Sequence, residues 1–112
     1  MQRLEIEVAS VGPDRHVVAL RGELDLAAAD RAWAELEPLL TAGSVVVLDG
    51  TDLEFLDSSG LRVLALAAHR ARARSAGLRL VAPQRAVQRT LELAGAQKLI
   101  ATHPNLQDAL VG

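Results

Sequence analysis

The chain has 112 residues, half of them hydrophobic, with no cysteine and a net charge of −2. Its length predicts one domain over residues 1–112 that buries roughly 65 per cent of the unfolded surface, and the missing cysteine excludes disulfides, thiolate nucleophiles and cysteine metal clusters. No apolar stretch reaches the ~18 residues of a membrane span and the start MQRLEIEVAS lacks a signal-peptide pattern, so we expect a cytoplasmic protein with no membrane partner.

The first segment of the chain predicts a β-hairpin. Leu4, Ile6 and Val8 alternate with polar residues, and a second apolar run, HVVALRG, begins at His16. Between them, VGPDR supplies the glycine, proline and aspartate that favour tight turns. Two strands joined by a tight turn are necessarily antiparallel.

A helix is predicted after the GELD segment, residues 22–25. Asp25 can cap its start, and the helix should end before Gly43. Pro38 removes the amide that would bond to Ala34, so we expect a kink or a tightened last turn. The predicted apolar stripe consists of Ala29, Trp33, Leu36 and Leu40.

The middle of the chain predicts a buried strand and then a long helix. SVVVLD, residues 44–49, is a continuous β-branched run of the kind found in strands covered on both faces. The helix should run from Ser58 to about Arg74, with Gly77 marking its stop. Its expected apolar face consists of Leu61, Leu64, Ala65 and Ala68, with Val63 and Ala67 beside them.

The last third of the chain predicts a strand, LRLVA, a helix, PQRAVQRTLELAG, a short strand, KLIA, and a final helical turn opened by Pro104. Strands separated by helices favour parallel pairing. The predicted fold is therefore α/β: a mixed β-sheet opened by an antiparallel hairpin, with flanking α-helices. The apolar positions of the two late helices are Val87, Leu91, Ala94, Leu106 and Leu110.

Charge is distributed unevenly along the chain. Residues 1–57 carry twelve acidic and four basic side chains, whereas residues 58–112 carry two acidic and eight basic ones. Nucleic-acid binding would need these bases on one face together with aromatic rings, but Arg72 points away from Arg70 and Arg74 on a helix and the chain has one Phe, one Trp and no Tyr. We therefore expect a solvated helix face and no direct nucleic-acid partner.

The change of charge falls at LEFLDSSGLR, residues 53–62, where an apolar run stops and a helical pattern begins. The first amides of a helix lack intrahelical partners and carry partial positive charge, so Asp57 or Ser58 can cap this helix. Gly60, lacking a Cβ, would leave the backbone open to a partner or an anion. The residues alone leave two readings: a capped helix, or a hydroxyl placed for modification.

A serine nucleophile at this position would lack the catalytic base and the orienting group that it needs. An activated serine requires a base, and His69 lies roughly 16 Å further along the same predicted helix. The chain also lacks a G-x-G or G-K-[ST] phosphate loop with which to hold its own phosphate donor. We therefore expect no catalytic residue and no enzyme activity, and any phosphorylation must be performed by another protein.

The carboxylates before the helix offer a weaker alternative, acid–base chemistry or a Mg²⁺ site. Ordinary structural uses of aspartate at a strand end, in a turn and as a helix cap account for them, and the three histidines stand far apart. We expect no metal and no cofactor. The residues concerned are Asp49, Asp52, Glu54, Asp57, His16, His69 and His103.

Three segments together resemble a known family. TDLEFLDSSGLRVL is similar to the signature of the STAS domain in bacterial anti-sigma factor antagonists, RGELDLAAAD resembles the G-E-L-D segment of that family, and LRLVAPQRAVQRTLELAGAQKLI resembles its later strand and helix. The combination is specific, and the resemblance extends over almost the whole chain. Many relatives have a small residue where Arg62 stands.

The resemblance implies a partner switch. The serine directly after the aspartate is the phosphorylated one in that family, which corresponds to Ser58, with Ser59 as its supporting neighbour. The unphosphorylated form would bind an anti-sigma factor of the serine kinase type and release a sigma factor. Phosphorylation by that kinase would break the complex, and a PP2C-type phosphatase would restore the binding form. The alternative is a scaffold subunit of a stress-signalling complex or of a lipid-transport ATPase. The predicted partner-binding residues are Glu23, Asp25, Asp57, Ser59, Gly60 and Arg62.

Overall fold

The structure, a computed structural model, describes residues 3–111. The strands alternate with helices after an opening hairpin, and short 3-10 helices at Glu37–Leu39 and Ala96–Lys98 follow the first and third α-helices. In chain order the elements are β1 (Glu5–Gly12), β2 (Arg15–Leu24), α1 (Leu26–Leu36), β3 (Val45–Asp49), β4 (Leu53–Leu56), α2 (Ser58–Arg74), β5 (Gly77–Val81), α3 (Arg85–Ala94), β6 (Ala101–His103) and α4 (Leu106–Leu110).

The strands form one mixed sheet. Its order is β1-β2-β3-β5-β6, and β4 pairs with β2 beside this path. Only the β1–β2 pair is antiparallel, and every other pair is parallel among the residues that the structure describes. The predicted α/β fold with an opening hairpin is therefore confirmed.

Strand β2 contacts two different neighbours along its length. Its first half, Arg15–Ala19, pairs with β3, and its end, Gly22–Leu24, pairs with β4. Strand β4 was not predicted, because LEFL is only four residues long. Its pattern matches neither the alternation of a half-buried strand nor the continuous apolar run of a central strand, and Glu54 and Phe55 are both exposed.

The sheet is covered on both faces. Val46 and Leu48 of β3 belong to the larger core beneath α1, α2 and α3, whereas Val47 belongs to a smaller core with Ala109 of α4. The prediction that SVVVLD is a strand buried on both faces is confirmed, because successive side chains of a strand point to opposite faces.

The buried stripes of α1 and α2 agree only in part with the predicted ones. The predicted residues that are buried are Leu36, Leu40, Val63, Leu64 and Ala67. In α1 the buried residues include Ala28 and Ala32, while Trp33 is only partly buried. In α2 the face is rotated in the same way and is made of Gly60, Val63, Leu64, Ala67 and Ala71.

Element ends were predicted with mixed success. The tightened turn at Pro38 is present as the first 3-10 helix, and α2 runs over the expected residues. The stop of α2 is Ser75, in the left-handed conformation with φ 59°, rather than Gly77, which already begins β5. The short strand predicted at KLIA lies further along, at Ala101–His103.

The arginines near the end of α2 are not simply solvated, as the sequence suggested. Arg70 and Arg74 both donate to Glu37 Oε1, at 3.1 and 2.7 Å, and Arg74 also donates to the carbonyl of Leu40. Arg70 lies 5.4 Å from the ring centroid of Trp33. These two cations therefore join α2 to the end of α1, where free carbonyl groups favour positive charge.

Candidate functional site

Two helices begin next to each other at one edge of the sheet. Strands β2 and β4 run parallel, with Leu24 paired to Leu56, and each strand leads through one aspartate into a helix. Asp25 precedes α1 and Asp57 precedes α2. The GELD and LDSSG segments, which lie thirty residues apart in the sequence, therefore meet in space.

Both aspartates cap their helices in the same way. Asp25 has an extended backbone and accepts a hydrogen bond from the amide of Ala28 at 3.1 Å. Asp57 is also extended and accepts from the amide of Gly60 at 3.0 Å. Each carboxylate satisfies one of the free amides of its helix and adds negative charge at the positive end of the dipole. Of the two capping candidates in LDSSG, the cap is Asp57.

Ser58 is the first residue of α2, and its side chain is exposed. Within residues 3–111 its hydroxyl forms no hydrogen bond, and neither does that of the half-buried Ser59. The helix is therefore capped without help from either serine. A free, exposed hydroxyl at this position is accessible to a modifying enzyme.

Gly60 is buried, which corrects the expectation that it leaves the backbone open to a partner or an anion. A Cβ at this position would lie 2.5 Å from the carbonyl oxygen of Leu24 and 2.4 Å from Cδ1 of Leu56. The glycine is required because the start of α2 presses against β2 and β4. It positions the serines and lies beneath the surface that a partner could contact.

Two large apolar side chains are exposed beside the helix starts. Leu26 and Phe55 retain 77% and 46% of their accessible surface, and they line a shallow depression with Ala27 and the two capping aspartates. Sequence reasoning did not identify either residue as functional.

Glu23 and Arg62 are placed by different elements, β2 and α2. Glu23, half-buried, pairs with Phe55 in the β2–β4 register. Arg62 is exposed on α2 and lines two depressions, one with Ser59 between α1 and α2, and one with Ser58 between α2 and α3. Asp25 and Asp57 thus line one depression, Ser59 and Arg62 line a second, and Gly60 is buried beneath the start of α2.

Two of the remaining carboxylates, Asp49 and Asp52, have partners within the fold. Asp49 accepts from both the amide and the hydroxyl of Thr51, at 3.1 and 2.6 Å, and Asp52 lies 3.9 Å from Arg21. Across residues 3–111 no cluster of three or more histidine or acidic side chains could hold a metal ion. In that part of the chain no helix is both long and apolar enough to cross a bilayer.

The match with known proteins covers nearly all of this fold. A family model described as the STAS domain matches residues 7–109. The chain therefore belongs to the STAS domain family, and the capped helix start at Asp57 lies inside the matched region.

The relatives define a narrower group within this family. The chain is 33% identical over 98 residues to the anti-sigma-F factor antagonist RsfA of Mycobacterium tuberculosis, covering 84% of this chain and 76% of RsfA. An anti-sigma factor antagonist from Mycobacterium paratuberculosis has a TM-score of 0.86 at 28% identity, over 96% of this chain and 92% of that one. Unphosphorylated SpoIIAA, from Bacillus, shares the fold, with a TM-score of 0.78 at 20% identity over 95% and 93%. The chain belongs with the anti-sigma factor antagonists.

Proposed function

We propose that this protein is a non-catalytic partner switch of the cytoplasm, controlled by phosphorylation of Ser58. The unphosphorylated chain binds an anti-sigma factor that is also a serine kinase, and thereby releases a sigma factor. The kinase transfers phosphate to Ser58 and the complex separates, and a PP2C-type phosphatase restores the binding form. The observation that carries this proposal is an exposed Ser58 hydroxyl that the helix does not need for its cap.

The binding surface proposed for the partner consists of the two helix starts. It comprises Glu23, Asp25, Asp57, Ser59 and Arg62, supported from below by Gly60. The exposed Leu26 and Phe55 extend it with apolar area, and large apolar side chains within a polar rim are typical of interface centres. Ser58 lies within this surface, so that a change of its charge acts directly on the contact.

The energetic argument compares the phosphate in the free protein and in the complex. In the free protein a phosphate at a helix start gains about 0.3–1 kcal/mol from the dipole, and repulsion by Asp57 opposes this gain. In a complex the same group, with about −1.5 to −2 charges, must lose water or face carboxylates, which costs several kcal/mol. The fold should therefore persist while the affinity is lost.

The experiment is to incubate the chain with the cognate anti-sigma kinase and Mg²⁺-ATP, map the phosphopeptide, and measure affinity by titration calorimetry. We expect phosphate on Ser58 only with the kinase present. Ser58→Ala should bind constitutively, Ser58→Asp should bind at least about 30-fold more weakly on the scale of interfacial charge repulsion, and Ser59→Ala should remain switchable.

Each result can also fail in a defined way. Phosphate found only on Ser59, or incorporated without the kinase, would overturn the assignment. Equal affinity of Ser58→Asp and Ser58→Ala would show that charge at this position does not control binding. A Ser58→Asp variant that melts far below the parent would show that the switch acts by unfolding.

A further inference from the structure

Arg62 occupies the position from which a helix side chain reaches back to Ser58. The two residues are four apart on α2, and side chains four apart lie on the same face of a helix. Long side chains in helices lean toward the N-terminus, over the preceding turn. Consistent with this, Ser58 and Arg62 line the same depression between α2 and α3.

The guanidinium of Arg62 has no bonding partner among the described residues. Among residues 3–111 it forms no hydrogen bond and no ion pair, in contrast to Arg70 and Arg74 on the same helix. The acidic side chain that shares a depression with it is Asp30, across the α1–α2 side, and the structure records no ion pair between them. The depression shared with Ser58 is otherwise lined by apolar residues.

We propose that Arg62 is the intramolecular partner of the phosphate on Ser58, and so sets the state of the switch; this inference rests on the proposed phosphorylation of Ser58. An anion at the helix start and a cation four residues later have the favourable orientation for a helix pair. The planar guanidinium can donate two hydrogen bonds to phosphate oxygens. Arg62 is the basic side chain in the depression that Ser58 lines.

The pairing of Arg62 with the phosphate would change the proposed binding surface of this chain in two ways. It holds the phosphate against α2, where it offsets the repulsion from Asp57. It also withdraws Arg62, the basic member of the proposed binding surface, from contact with an acidic group of the partner. Phosphorylation would then change two charges on this surface rather than one.

The test is a ³¹P NMR titration of the full chain carrying phosphoserine installed genetically at position 58, so that no kinase is needed. A cation beside the phosphate favours the dianion and lowers its second pKa, which is about 6 when unperturbed. We expect the pKa in the parent to lie about 0.3–0.7 unit below that in Arg62→Gln, on the scale of helix ion pairs and charge-assisted hydrogen bonds. Arg62→Lys should retain most of the difference, and 0.5 M salt should reduce it.

Arg72→Gln is the matched control, because it removes the same charge from an exposed site on α2 ten residues further on than Arg62. The proposal is overturned if Arg62→Gln titrates like the parent, or if Arg72→Gln shifts the pKa equally. Calorimetry of the same phosphorylated sample against the anti-sigma factor tests the proposed function separately. Retained binding would refute the switch whatever the titration shows.

Discussion

The starts of α1 and α2 are built alike and differ in what they expose. Each follows a parallel strand, and each has an aspartate cap bonded to the third helical amide. The first helical residue is Leu26 in α1 and Ser58 in α2, and both are exposed. Since α1 is capped without a hydroxyl at this position, α2 does not need one either. The comparison shows that the aspartate, and not the residue after it, supplies the cap of each helix.

The third helical position should show the largest effects on stability at both helix starts. Gly60→Ala should destabilise the fold by about 1–3 kcal/mol, because the added methyl group meets the carbonyl of Leu24 and the side chain of Leu56. Ala28→Gly, at the equivalent buried position, should cost about 1–2 kcal/mol through a lost methyl group and a more flexible backbone. Urea unfolding measures both, and a Gly60→Ala variant as stable as the parent would refute the close contact.

The exposed leucine of α1 should matter for binding and little for folding. Leu26→Ser should weaken the anti-sigma factor complex about tenfold, as expected for an apolar interface residue, and change stability by less than about 0.5 kcal/mol. Leu93→Ser is the matched control, since Leu93 on α3 is 80% exposed, close to the 77% of Leu26, and lies outside the proposed surface. Calorimetry should find it unchanged in affinity. Equal losses for the two variants would indicate a nonspecific apolar contribution.

The two caps should be equivalent in stability. Asp57→Ala and Asp25→Ala should each lower the free energy of unfolding by about 1 kcal/mol, because each leaves one helix amide without its acceptor. Denaturant titration of both variants checks this expectation. Asn at either position should restore most of the loss. Unaltered stability of Asp57→Ala would mean that another group caps α2.

The smallest effect is expected at Ser58. Ser58→Ala should change the free energy of unfolding by less than about 0.5 kcal/mol, because the exposed hydroxyl makes no hydrogen bond within residues 3–111. Thermal melts of Ser58→Ala and Asp57→Ala, measured under the same conditions, check this expectation. A loss equal to that of Asp57→Ala would assign the cap to Ser58 and remove the main support for its role as a switch.

Local patterns in the sequence determined much of this molecule. The hairpin, the central strand and the extent of α2 follow from periodicity, turn residues and capping residues that lie within a few positions of one another. The motif LDSSG also carried the resemblance to the STAS domain family, because its residues are consecutive in the chain. Its Asp57 caps, and its Ser58 begins, a helix that the same sequence defines.

Only the tertiary structure decided which of these residues meet. The burial of Gly60 depends on Leu24 and Leu56, which belong to two strands far apart in the chain, and β4 exists as a strand through its pairing with β2. Leu26 and Phe55 become neighbours for the same reason. Periodicity reports which face of an element is apolar, but it contains no information on the distance between elements. Contacts that depend on that distance, including the surface around Ser58, are therefore set by packing.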